Sequence, residues 1–222
     1  RNVLPIDTMR VRNILVVGEN AVKMMTVGGG SSSLKVQREL SPLDGLREAL
    51  AGRGVDIVWE RGYVGDTNGS YNGVTSGQDL SESRSADQLV ADAVAKARKA
   101  DYVVFFGGLN KSDYQDCEGH DRKDYALPYG QDRVIEALAK ANRNLVVVNI
   151  SGNAVAMPWA DRVDAIVQGW YVGSEAGHCL ADILTGRVNP SGKLPFTWTR
   201  TLNDVPAHRL NAFPGTWRPD HQ

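Results

Sequence analysis

Tyr102-Val103-Val104-Phe105-Phe106 runs directly into Gly107-Gly108-Leu109-Asn110-Lys111-Ser112-Asp113-Tyr114-Gln115-Asp116-Cys117-Glu118-Gly119-His120-Asp121-Arg122, and this stretch decides the fold. Five apolar residues without polar alternation describe a strand covered on both faces, as inside a parallel sheet. The polar loop that follows opens at the carboxyl end of that strand, where open α/β sheets place their ligands. Leu127-Pro128 then leads into a helix over residues 130–141, with Val134, Ile135 and Leu138 inward.

Working outward, the same alternation repeats. Asn13 to Gly18, Val55 to Trp59, Leu145 to Ile150 and Asp164 to Trp170 read as further strands. Helices are expected over 42–50, where Ser41 is the N-cap and Pro42 the first helical residue, over 86–98, and over 174–184. Residues 62–81, rich in Gly, Ser, Asn and Asp, read as a long surface loop. Strands alternating with helices predict an α/β fold, a three-layer sandwich with a mostly parallel sheet and helices on both faces.

Bulk properties narrow the partners. The 222-residue chain is 42% hydrophobic and 23% charged, ordinary for a globular domain. A net charge of -1 gives no electrostatic case for nucleic acid or an anionic membrane surface. No apolar run approaches the roughly 20 residues needed to cross a bilayer. The two cysteines, Cys117 and Cys179, have no metal-like or redox-like spacing and read as free thiols. The start at Arg1 and the irregular tail ending at Gln222 fit a piece of a longer protein, so they carry no information on targeting.

Several familiar chemistries are missing. No G-x-G-x-x-G follows Gly18, and no Lys-Ser/Thr pair closes the Gly28-Gly29-Gly30-Ser31-Ser32-Ser33 loop, so a phosphate loop is not expected. A polar loop that approaches a neutral ligand such as a sugar fits better. Ser151 stands in no G-x-S-x-G elbow. His120, His178, His208 and His221 show no metal-ligand spacing, and neither metal nor cofactor is expected. The loop carboxylates Asp113, Asp116, Glu118 and Asp121 can support acid/base chemistry if burial or a neighbouring carboxylate favours the protonated form. They can equally be solvated charges or an ion-pair network with Arg122 and Lys123. A Ca²⁺ loop lacks the EF-hand spacing.

Five blocks, in this order, complete the reading: Gly28-Gly29-Gly30-Ser31 with Ser41-Pro42-Leu43-x-Gly45-Leu46; Glu118-Gly119-x-Asp121-Arg122 with Leu127-Pro128-x-x-Gln131; Gly169-Trp170-Tyr171-x-Gly173-x-Glu175-x-Gly177; Ala181-Asp182-x-Leu184-x-Gly186; and Asn189-Pro190-Ser191-Gly192-Lys193-Leu194-Pro195. Over residues 13–200 the chain resembles the second domain of glycoside hydrolase family 3, the β-glucosidase and β-xylosidase family. The tail from Pro206 through Trp217 is similar to Bacteroidetes-like members.

The resemblance implies a sheet of about six strands, packed against a (β/α)₈ barrel that holds the sugar and supplies an aspartate nucleophile. Residues 1–12 would be the linker from that barrel, 13–200 the sandwich, and 201–222 a tail leading to a C-terminal region outside the chain. The acidic loop would supply the acid/base of a retaining β-glycosidase acting on terminal non-reducing β-D-glucosyl residues, β-xylosidase being the variant. Glu118 is the first candidate and Asp116 its rival, with Asp121 and Arg122 as a structural pair. Ser31, Ser32 and Tyr114 would line the outer sugar subsite. The implied partners are a β-glucoside or oligosaccharide, the barrel of the same enzyme and, as an option, further copies of the chain, with neither nucleic acid nor membrane. A periplasmic or secreted location goes with this reading, and the domain alone would be inactive. The competing readings are a non-catalytic carbohydrate-binding or scaffolding module and a flavodoxin-like nucleotide or flavin binder.

Overall fold

The structure, a computed structural model, describes residues 2–26, 34, 36–65, 67, 70–71, 74–75 and 78–215. In chain order its elements are β1 (Asn13–Val17), α1 (Pro42–Ala49), β2 (Asp56–Glu60), β3 (Ser70–Tyr71), β4 (Val74–Thr75), α2 (Ala86–Ala97), β5 (Tyr102–Gly108), α3 (Gln131–Ala141), β6 (Leu145–Ile150), β7 (Ala165–Gln168), α4 (Ala176–Leu184) and α5 (Pro206–Arg209).

Five strands form one sheet in the order β2-β1-β5-β6-β7, every neighbouring pair parallel. Side chains alternate across a strand, and here the alternation sorts the core into two layers. Ile14, Val16, Val104, Phe106, Val146 and Val148 pack on one face with Leu43 and Leu46 of α1 and Leu180 and Leu184 of α4. Leu15, Val17, Val103, Phe105, Leu145 and Val147 pack on the other with Ala93 and Ala97 of α2 and Val134, Ile135 and Leu138 of α3. Covering both faces is why β5 and β6 carry continuous apolar runs.

Capping sets the helix starts. The Ser41 hydroxyl accepts from the Asp44 N–H at 3.1 Å, and Ser85 forms a reciprocal capping box with Gln88. Where α1 crosses α4, a Cβ on Gly45 would stand 2.1 Å from the Gly177 backbone. Only paired glycines permit that approach.

Three details differ from the sequence expectation. The sheet has five strands rather than about six. The segment after α4, where another strand would come, is interrupted by Pro190 and Pro195, which cannot donate to a ladder. Within 62–81, β3 and β4 pair as a short antiparallel ladder. Ahead of β1, Val3, Ile6 and Val11 are buried in the first core layer, and the Ile6 N–H donates to the Leu184 carbonyl at 2.8 Å. Among the described residues, no helix is long and apolar enough to cross a membrane. Cys117 and Cys179 are free thiols.

Candidate active site

The carboxyl ends of β1, β5, β6 and β7 build the site. At the end of β5, Gly108 adopts φ +118°, and a Cβ there would meet the Ile150 carbonyl oxygen at 2.1 Å. Gln131, the first residue of α3, clamps this turn in both directions. Its side-chain oxygen accepts from the Gly108 N–H at 2.8 Å, and its amide donates to the Gly108 carbonyl at 2.8 Å. On the β1 side, Asn20 Nδ2 donates to the Leu109 carbonyl at 3.0 Å. The acidic loop therefore leaves the sheet from a fixed point.

Buried Asn110 then organises the first half of the loop. Its side-chain oxygen accepts from Ser112 N–H at 2.8 Å, its carbonyl accepts from Asp116 N–H at 2.9 Å, and its N–H donates to Gln115 Oε1 at 3.0 Å. Asp116 ties the second half to the neighbouring strand ends. Its Oδ2 accepts from the Gly152 N–H at 2.7 Å and from the Tyr171 hydroxyl at 2.8 Å, and its Oδ1 accepts from Asn153 Nδ2 at 2.5 Å. A carboxylate holding three donors is anchored. Glu118, two residues on, is exposed at the rim.

Lys111, Asp116, Glu118, Arg122, Asn153 and Tyr171 are among the residues around an open cavity of about 580 Å³. Lys111 is half-buried with its ammonium 5.8 Å from the Tyr171 ring centre. Burial holds its pKa below the ordinary lysine value, against the opposing charge of Glu39. Arg122 donates to the Ala154 carbonyl at 2.7 Å. Burial lowers its pKa too, with Asp116 the foremost opposing charge. A second hollow of about 580 Å³, between β7, α4 and residues 188–198, is mostly apolar and gathers no comparable set of titratable groups.

A buried ionic cluster underpins this end of the sheet. Glu19, 1% exposed, accepts from Arg61 Nη2 at 2.8 Å, Lys23 Nζ at 3.0 Å and the Gly65 N–H at 2.8 Å. Beside it, burial raises the Tyr63 pKa well above 10, and the Glu19 charge adds to the effect. Glu19 is adjacent in sequence to Asn20, so the cluster and the hold on Leu109 share one short turn.

The structure brings Asp116 and Glu118 to one cavity, anchoring the first and exposing the second. Tyr114 is in the same loop, 48% exposed, with Lys123 Nζ 3.9 Å from its ring centre, but it is not among the residues around that cavity. Ser31 and Ser32 lie outside the described residues. The expected Asp121–Arg122 pair is not among the described ion pairs, because Arg122 turns inward to Ala154 while Asp121 stays at the surface. Sequence reasoning missed Lys111, Gly152, Asn153 and Tyr171 as site residues. Tyr171 does lie in a quoted block, and its neighbourhood was the available signal.

Residues 1–220 match the Glycosyl hydrolase family 3 C-terminal domain. The chain belongs to glycoside hydrolase family 3. This family 3 domain is 47% identical over 214 residues to the β-glucosidase BoGH3A of Bacteroides ovatus, a match covering 96% of the chain and 28% of that protein. It is 44% identical over 140 residues to β-glucosidase B of Emericella nidulans, covering 62% of the chain and 16% of that protein. Among solved structures, the Bifidobacterium adolescentis family 3 β-glucosidase superposes with a TM-score of 0.75 at 32% identity, over 97% of this chain and 28% of that one. The Kluyveromyces marxianus β-glucosidase in complex with glucose shares the fold, with a TM-score of 0.79 at 22% identity, over 93% of this chain and 40% of that one. The family 3 domain thus spans a minor part of the length of these relatives.

Proposed function

We propose that this domain carries the general acid/base of a retaining β-glycosidase that releases terminal non-reducing β-D-glucosyl residues, and that Glu118 is that residue. The supporting observation is the division of labour between two neighbouring carboxylates. Asp116 is bound by three donors, whereas Glu118 reaches the rim of the cavity. The nucleophilic aspartate would come from a barrel domain of the same enzyme, outside this chain. In the first step, that aspartate attacks the anomeric carbon while Glu118 protonates the departing glycosidic oxygen. In the second, the Glu118 carboxylate takes a proton from water as the water displaces the enzyme ester.

Two carboxyl groups in this mechanism stand about 5–5.5 Å apart. The domain must therefore dock with the carboxyl ends of β5 and β6 toward the barrel, which would shield Glu118 from bulk solvent while leaving room for the attacking water. Lys111 and Asn153 are then placed to hydrogen-bond sugar hydroxyls. We place the enzyme in the periplasm or outside the cell, where oligosaccharides would reach it; cell fractionation tests this. The catalytic assignment is tested in the whole enzyme. Glu118→Ala should lose activity on an aryl β-glucoside and regain it with azide on an activated substrate. The same behaviour in Asp116→Ala, and not in Glu118→Ala, would overturn it.

A further inference from the structure

We infer that Asp113, Cys117 and His120 form a site for a zinc-class divalent cation on the same loop. One carboxylate oxygen, one sulfur and one ring nitrogen, from three side chains without regular metal-ligand spacing, lie within 4.8 Å of one another. Two contacts already hold the group together: His120 Nδ1 stands 3.2 Å from Asp113 Oδ1, and Cys117 Sγ stands 3.5 Å from the His120 carbonyl. Gly119, at φ +85°, makes the turn that folds His120 back toward Cys117, and no atom beyond its chain neighbours lies within 4 Å of where its Cβ would be. The Tyr114 ring packs against the imidazole at 5.4 Å between centres, and Lys123 covers Tyr114 in turn. The imidazole is thereby held in place while Asp113 and His120 keep a solvent route for an ion.

The donor set selects the metal. A sulfur ligand disfavours the hard, oxygen-seeking cations Ca²⁺ and Mg²⁺. Thiolate, imidazole and carboxylate together suit Zn²⁺, which accepts three protein ligands with a fourth position left for water. Tetrahedral bonds of about 2.0–2.3 Å put ligand atoms about 3.5 Å apart, so the loop needs to contract by about an ångström. On binding, the Cys117 thiol gives its proton to solvent as the sulfur–metal bond forms, and no electron is transferred. The three ligands flank Glu118. Lower turnover on loading is thus expected, and that expectation rests on the acid/base reading above; the site itself does not.

The test uses the whole protein with Co²⁺ as a spectroscopic probe and Zn²⁺ competing against a chromophoric chelator. Wild type should show a sulfur-to-cobalt charge-transfer band that persists in Cys179→Ser and vanishes in Cys117→Ser. Zn²⁺ affinity should fall at least about tenfold in His120→Ala and in Asp113→Asn; these variants also serve should Cys117→Ser fold poorly. A cobalt spectrum unchanged in Cys117→Ser, or Zn²⁺ affinity unchanged in both other variants, would overturn the site. Zn²⁺ inhibition equal in wild type and Cys117→Ser would overturn its link to Glu118 while leaving the binding result standing.

Discussion

The Tyr171 hydroxyl donates to Asp116 Oδ2 at 2.8 Å, joining the loop after β5 to the segment after β7 across the mouth of the sheet. The Gly152 N–H, from the loop after β6, reaches the same oxygen at 2.7 Å. One carboxylate thus fastens three consecutive strand ends together. In the proposed mechanism Asp116 is therefore a positioning residue and Glu118 the reacting one. Asp116→Ala removes an acceptor for three donors and should cost about 1–3 kcal/mol of stability, whereas Tyr171→Phe should cost about 0.5–1.5 kcal/mol. Urea unfolding measures both. In activity assays Asp116→Ala should lower kcat by displacing Glu118, and azide should restore nothing.

Glu118 is exposed at the rim of the cavity, so its replacement should separate chemistry from stability. Glu118→Gln is expected to change stability by no more than about 0.5 kcal/mol. It should lower kcat in the whole enzyme by about a hundred- to ten-thousand-fold for leaving groups that require protonation. An activated aryl glucoside, whose phenolate departs without a proton, should suffer much less in the first step. The kcat/KM values across a series of aryl β-glucosides, which report the first step, measure this, and an equal loss in kcat/KM for every leaving group would remove Glu118 from the proton-donating role.

The sheet was legible because its evidence is local. Val103 to Phe106 and Leu145 to Val148 are continuous apolar runs that only a doubly covered strand explains, and Ser41-Pro42 is a helix start in two residues. Asp116 and Glu118 were legible as a pair, since both lie in one loop at a strand's carboxyl end. The hold on Asp116 was not, because its donors come from Gly152, Asn153 and Tyr171, and no periodicity links those positions. The structural pairing of Asp121 with Arg122 failed for the same reason. Adjacency in sequence suggested it, but the Ala154 carbonyl, 32 residues on, takes the guanidinium.

Glu19 was equally invisible in sequence, as a lone acid after a strand, yet its carboxylate is the common partner of buried Lys23 and Arg61. Removing its charge takes from two buried cations the carboxylate they share. Glu19→Gln should destabilise the domain by about 3–5 kcal/mol. Neutralising one partner alone, as in Lys23→Met, should cost less, because Arg61 and the Gly65 N–H still satisfy Glu19. Thermal unfolding monitored by circular dichroism ranks the two, and a Glu19→Gln domain as stable as wild type would show that the cluster contributes nothing.

His178 gives the domain a pH-dependent contact at the start of α4. Its Nε2 lies 2.9 Å from Glu48 and its Nδ1 lies 2.6 Å from Glu175. These two carboxylates raise its pKa above 6.5, Glu48 first and Glu175 second. A raised folded-state value means that the folded chain holds this proton more tightly than the unfolded chain. The stabilisation is therefore complete below the unfolded value near 6.5 and is lost as pH rises through the higher folded value. Proton NMR of the imidazole should show a midpoint above that of an unstructured histidine. The stability difference between wild type and His178→Ala should be larger at about pH 5.5 than at about pH 8.5. Glu175 titrates in the opposite sense: His178 first, then Arg38, lower its pKa, so its share is present above its unfolded value and lost in acid. A His178→Ala difference that grew toward alkaline pH would contradict both contacts.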